Sequence, residues 1–118
     1  MKNLEMFCLT LDPKHVNYIK NLNYTPVGLG EKSFPADCLS DKSGDNISRK
    51  NKYYGEYTFH YWLWKNHLNN INENWIGFCQ YRKFWALNYK DKKEISLNQL
   101  NDLVLHEMPT KYEDCDVI

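Results

Sequence analysis

The strongest constraint on the fold is residues 4–11, a short, mostly apolar run with little charge that stops at Asp12 and Pro13. Its length and its turn-forming border favour a buried strand over a helix. Asp12 is suited to cap a helix and Pro13 to occupy the first helical position. The following residues, to about Asn21, place Val16, Ile19 and Leu22 toward one side of a short helix that packs on a sheet. Residues 24–27 read as a second strand with Pro26 near an edge, and Gly28 and Gly30 end it where the chain turns. The chain therefore opens as a βαβ unit, which predicts an α/β fold.

Beyond that unit, residues 31–51 are rich in Ser, Asp, Lys and Asn and show little periodicity, so a long loop is expected there. Loops of such length in compact domains are usually functional or disordered. A helix is predicted over 52–68, with Tyr54, Tyr57, Tyr61, Trp64 and Leu68 at offsets of three and four. Phe59, Trp62 and Leu63 cover much of another face, so this helix is apolar nearly all round and is expected to be central. Residues 75–79 form a third strand with Gly77 inside it, where backbone or ligand can approach closely. A charged loop over 88–94 precedes Ser96, which forms a capping box with Gln99. The helix so capped is expected to reach about Glu107 before Pro109 stops it. Asp116, Val117 and Ile118 read as the start of a buried strand, so residues 1–118 are expected to be one partial domain, truncated at its C-terminus.

Composition narrows the function classes. The chain has 118 residues, 42% of them hydrophobic, with 15 basic and 15 acidic side chains. The lysines are scattered among carboxylates, so no basic stripe predicts a nucleic-acid partner. Arg49 and Arg82 are the only arginines, and Arg82 sits beside a strand as a planar fork suited to phosphate or carboxylate. Cys8, Cys38, Cys79 and Cys115 are far apart and form no CxxC pair, which argues against zinc or redox chemistry. With no long apolar signal core at the N-terminus, reduced thiols in a cytosolic compartment are expected. No apolar run approaches the about 20 residues needed to cross a bilayer.

Ligands of open α/β sheets bind at the carboxyl ends of strands, and two such ends carry chemistry here. The first delivers Thr10 and Asp12, a hydroxyl and a carboxylate that could meet a base or ribose, although Asp12 could equally only cap its helix. The other delivers Gln80, Tyr81, Arg82 and Lys83, whose amide, phenol and cationic groups could hold a pyrophosphate or sugar hydroxyls. Ser43, Gly44, Asp45, Asn46 and Ser48 are all turn or cap formers, so structure explains them as well as function does. Neither Gly28 with Gly30 nor Gly44 has the spacing of a Rossmann or Walker phosphate loop. Glu56, His60 and His67 could share a helix face and resemble metal ligands, but a Glu and a His four apart can simply pair. Asp114 and Asp116 make a DxD pattern that precedes an apolar segment instead of following a strand, the wrong end of the element for a metal.

The run DKSGDNISRKNKYYGEYTFHYWLWKN followed by GFCQYRKFW resembles the N-terminal half of the bacterial glycosyltransferase family catalogued as domain of unknown function 4422. Members of that family typically show a loop like DDTGDNISEKNPYYCELT, an aromatic helix ending in WKN and a strand ending in CHYRR. The resemblance covers most of residues 27–85. It implies a GT-A-like, Rossmann-like three-layer sandwich, here the N-terminal part of a larger domain. It also implies a nucleotide-sugar-dependent transferase of capsular, exopolysaccharide or lipopolysaccharide biosynthesis.

The matching positions are Gly44, Asp45, Asn46, Ile47, Ser48, Asn51, Tyr54, Glu56, Trp64, Lys65 and Asn66, then Tyr81 and Arg82. Gln80 stands where the family usually has His, and Lys83 where it often has a second Arg, which removes a titratable imidazole and a bidentate fork. The residues expected to bind substrate are Thr10, Asp12, Asp45, Asn46, Ser48, Asn51, Glu56, Gln80, Tyr81, Arg82 and Lys83. Arg82, helped by Lys83, is expected to neutralise a diphosphate, with Asp45 and Asn46 on ribose or sugar hydroxyls and Thr10 and Asp12 near the base. No catalytic residue and no metal ligand is assigned, and a divalent metal (Mg or Mn) accompanying the donor stays open. The expected partners are a nucleotide-sugar donor and a glycan or lipid-linked acceptor, with a cytoplasmic location peripheral to the inner membrane. The alternatives are a non-catalytic glycan- or protein-interaction module on the same scaffold and a metal-dependent hydrolase using Glu56, His60 and His67.

Overall fold

The computed structural model describes residues 2–86 and 95–118, so the charged loop expected over 88–94 lies outside the described residues. Strand β1 spans Lys2–Thr10, and Asp12 accepts a hydrogen bond from the Lys14 backbone N–H at 3.0 Å to cap the 3₁₀ turn Pro13–His15 that leads into helix α1, Val16–Asn21. Strand β2 covers Thr25–Gly28 and β3 covers Leu39–Ser40. Helices α2, Asn51–Tyr54, and α3, Tyr57–Asn66, follow, then strand β4, Trp75–Gln80. Helix α4, Leu97–Leu103, starts at the Ser96–Gln99 capping box, and β5 is Glu107–Met108.

The sheet has the order β3-β2-β1-β4 with every pair on that path parallel, and β5 adds antiparallel to the start of β1. Residues 6–10 of β1 are all buried because both faces of the strand are covered. Met6 and Cys8 point to one face, where they pack with Ile19, Leu22, Tyr24 and Val104. Phe7 and Leu9 point to the other, against Phe59, Trp62 and Leu63 of α3. The alternation of side chains along a strand thus divides the core into two layers around one sheet, the three-layer α/β sandwich expected from the sequence.

Five expectations about elements are corrected. The helix predicted over 52–68 breaks at Gly55, whose φ of 55° is a left-handed conformation that glycine adopts without steric cost. Nor is that helix central: Tyr57 and Trp64 are 64% and 61% exposed, and Tyr54 and Leu68 also face outward. Only the Phe59, Trp62 and Leu63 side of α3 meets the sheet, and Lys65 instead places its ammonium over the Trp64 ring at 3.8 Å. The helix predicted to reach about Glu107 ends at Leu103, because Glu107 pairs with Asn3 of β1. Val117 and Ile118 belong to no strand and are exposed, Val117 by 81%. The expected loop over 31–51 also contains β3, whose two residues are too few for any periodicity to reveal.

Candidate functional site

From β1 the chain builds outward through β2 to β3, then returns to place β4 on the opposite side of β1. Neighbouring strands whose connections leave in opposite directions part at their carboxyl ends, and the gap is where open α/β sheets bind ligands. A cleft of about 610 Å³ lies there. Thr10 and Asp12 border it from β1, Gln80, Tyr81 and Arg82 from β4, and Asn51 and Glu56 from the α2–α3 junction. These seven were named from sequence. His15, Lys32 and Lys52 also line it and were not: each has other polar residues beside it in its own segment, and only the fold brings the three together.

The β4 end is shaped by a tight turn. Gln80 and Lys83 exchange backbone hydrogen bonds of 3.2 and 3.0 Å, while the Tyr81 N–H continues the ladder to the Leu9 carbonyl at 3.2 Å. The turn carries Tyr81 and Arg82 at its tip over the cleft, and Lys83 closes it without lining the cleft. Asp12 is held below the usual carboxylate range, first by the Lys14 backbone N–H and then by Lys32 and Lys14. Its Oδ2 lies 3.3 Å from Lys32 Nζ and 3.5 Å from Lys14 Nζ. With that carboxylate compensated, Lys52 and Arg82 outnumber Glu56, the one other carboxylate among the described residues lining the cleft, and leave it hospitable to an anion.

Asp45, Asn46 and Ser48 lie elsewhere. The Asn46 amide donates to the carbonyls of Lys42 and Gly44 at 3.2 and 3.0 Å and accepts from the Ser48 N–H and hydroxyl at 3.2 and 2.9 Å. Asn66 at the end of α3 accepts from the Asp45 N–H at 3.2 Å and donates to the Asp45 carbonyl at 2.8 Å. The Tyr61 hydroxyl donates to Asp45 Oδ1 at 2.9 Å, and that hydrogen bond holds the phenol pKa above its ordinary value. Gly44 has a φ of 58°, and a Cβ there would lie 2.3 Å from Asn66 Oδ1. The GDNIS loop and the WKN helix end therefore interlock, a structural reason for both to be present in one chain.

Behind the cleft wall, Asp41 is fully buried and was not singled out from sequence. Its Oδ2 accepts from the Thr58 hydroxyl at 2.6 Å, and Thr58 in turn accepts from the Asn51 amide at 3.0 Å. Asn51 also donates to the Gly55 carbonyl at 2.9 Å. This chain fixes the α2–α3 junction that presents Asn51 and Glu56 to the cleft.

Glu56, His60 and His67 do not assemble as ligands, and among the described residues no group of three or more His, Cys, Asp or Glu is placed to hold a metal. The His60 ring packs on Phe78 at 4.2 Å and the His67 ring stacks on Trp62 at 5.6 Å. Burial holds the His60 pKa below its ordinary 6.5. The unfolded chain then takes up the proton first, so stability is full above pH 6.5 and falls as pH drops toward the folded-state pKa. Glu5, raised above 4.5 chiefly by burial, acts in the opposite sense as pH rises through its own folded-state value. We predict that the unfolding free-energy difference between wild type and His60→Phe is constant above pH 6.5 and changes below it. Glu5 cancels in that comparison. A difference independent of pH, measured by urea unfolding, contradicts it.

A larger cavity of about 790 Å³ runs along the outer edge of β4 and is walled mainly by Trp75, Ile76, Phe78, Leu105, Val117 and Ile118. Size alone favours it, but it lies away from the strand ends, and its polar lining among the described residues, Glu56, Asn74, Glu113 and Asp116, is acidic or neutral with no cation. The switch-point cleft is the better candidate.

A parallel three-layer sheet with a polar, cation-bearing cleft at its switch point defines a Rossmann-like α/β protein. The chain matches the family described as domain of unknown function 4422 over residues 8–114 and belongs to it. Among solved structures it is similar to the apo form of WbbM, a bifunctional glycosyltransferase, at 27% identity and a TM-score of 0.52, across 80% of this chain. It spans 16% of the WbbM chain. No curated protein matches it. The scaffold is glycosyltransferase-like, and no helix among the described residues is long and apolar enough to cross a membrane.

Proposed function

We propose that the switch-point cleft binds a nucleotide-sugar donor, and that the chain supplies the donor-binding part of a glycosyltransferase of capsular, exopolysaccharide or lipopolysaccharide biosynthesis. The acceptor is a glycan or a lipid-linked sugar met on the cytoplasmic side of the inner membrane. The observation that carries this reading is the meeting of Asp12 with Gln80, Tyr81 and Arg82 at one cleft, together with Lys32 and Lys52. Arg82 and Lys52 compensate the diphosphate, whose charge grows on the leaving group as the glycosidic bond breaks. Gln80, Asn51 and Glu56 supply hydrogen bonds to sugar or ribose hydroxyls. Asp45, Asn46 and Ser48 support the wall through the α3 clamp in place of the direct contacts first expected of them.

Calorimetric titration of the full-length protein with a panel of nucleoside diphosphate sugars tests this. Saturable binding of one nucleotide class supports it, and absence of heat with every donor sinks it. The outward aromatic side of α3, with Tyr57 and Trp64 exposed, favours a second reading as a glycan- or protein-interaction module. Glycan binding without any nucleotide binding would select that reading.

A further inference from the structure

His15 belongs to no motif singled out from the sequence, yet its ring is held in the cleft on two sides. Its ring stacks on Tyr81 with centroids 3.9 Å apart and planes 11° from parallel. Its Nδ1 lies 2.7 Å from Thr10 Oγ1. Thr10 is only 3% exposed, so its hydroxyl serves the protein and not a ligand. That oxygen already accepts from the Asp12 N–H at 3.1 Å, and its single proton has two acceptors in reach, His15 Nδ1 at 2.7 Å and the Asp12 carbonyl at 3.3 Å. The roles at the Thr10–His15 contact follow the tautomer: with Thr10 donating to Nδ1 the neutral ring carries its proton on Nε2, and with the Thr10 proton on the Asp12 carbonyl Nδ1–H donates to Oγ1. Nε2 makes no hydrogen bond to any described residue, while His15 lines the cleft. The Arg82 guanidinium carbon lies 5.8 Å from the centre of the same Tyr81 ring. A ring nitrogen without a partner among the described residues and a permanent cation are therefore both held against one phenol.

We propose that His15 is a ligand-binding residue whose Nε2–H donates to a diphosphate oxygen beside Arg82, with Thr10 as the positioning residue that sets the tautomer. This rests on the nucleotide-sugar reading of the cleft and adds to it a specific donor for the diphosphate group. A hydrogen bond to a charged oxygen is worth enough that its loss weakens binding about tenfold.

Two substitutions separate the donor from the ring. His15→Phe keeps a ring on Tyr81 and removes both nitrogens, whereas His15→Gln keeps an N–H near the Nε2 position and removes the ring. With full-length protein, His15→Phe is expected to weaken uridine diphosphate, adenosine diphosphate or inorganic pyrophosphate, whichever bind, by the same factor of about ten. His15→Gln is expected to retain most of the affinity. Nitrogen NMR of isotope-labelled histidine in the wild type, which needs no substitution, should show His15 protonated at Nε2 and that resonance moving when pyrophosphate is added.

Affinity unchanged in His15→Phe overturns the proposal and leaves the nucleotide-sugar reading standing. So does a larger loss in His15→Gln than in His15→Phe, which would mean that the ring acts only by propping Tyr81. A loss confined to the nucleotides and absent with pyrophosphate overturns it too, by moving the contact to the nucleoside. Failure of the wild type to bind any probe removes the underlying reading and the proposal together.

Discussion

Replacement of Arg82 by alanine is expected to weaken nucleoside diphosphate sugar binding by about 10- to 100-fold while leaving the fold intact, the range set by hydrogen bonds to charged groups. The side chain is exposed at the tip of the Gln80–Lys83 turn and borders the cleft. Among the described residues its only recorded partner is the neighbouring Tyr81 ring, at 5.8 Å, so its removal leaves no buried group unsatisfied. Arg82→Lys keeps the charge and loses the planar fork, and an intermediate affinity is expected of it. Calorimetry of the three proteins at two salt concentrations reads the effect. An Arg82→Ala protein that binds as tightly as wild type would place the diphosphate elsewhere.

The largest stability effect is expected from Phe59→Ala, a loss of about 3–5 kcal/mol. Phe59 is fully buried and its ring lies 5.4 Å from Phe7, 5.8 Å from Trp62 and 6.2 Å from Phe78. It joins α3 to both strands that flank the cleft, and truncation leaves a cavity that rigid strands cannot close. That loss is a large share of the roughly 5–15 kcal/mol that stabilises a domain. Trp64→Ala, on the outward side of the same helix, is expected to cost less than about 1 kcal/mol, as surface substitutions usually do. Urea unfolding of both variants checks this, and similar losses at the two positions would refute the assignment of inner and outer faces.

The contrast between Phe59 and Trp64 shows where sequence patterning stops being informative. Both are large aromatics in one helix, and spacing alone makes both sides apolar. Which side meets the sheet depends on how α3 lands on Phe7, Leu9 and Phe78, residues distant in sequence. The cleft divides in the same way. Thr10, Asp12, Gln80, Tyr81 and Arg82 could be named because strand ends are visible as places where an apolar run stops. His15, Lys32 and Lys52 could not, since nothing local distinguishes a cleft lysine from a solvated one. Asp45 and Asn46 carry residue types suited to sugar hydroxyls, but Asn66, Tyr61 and their own loop use those groups first.

Local physics was enough for the Asp12 cap, the βαβ opening, the β4 strand with its polar end and the Ser96–Gln99 capping box. Each depends on residues within a few positions of one another, and so is written into the sequence directly. The break at Gly55, the two-residue strand β3, the burial of Asp41 and the stacking of His15 on Tyr81 were decided only by tertiary structure. Each requires a partner far along the chain or a backbone conformation that glycine permits without requiring. A sequence specifies such contacts only through the complete fold, because the free energy that selects them comes from burial and pairing that exist once the layers have closed.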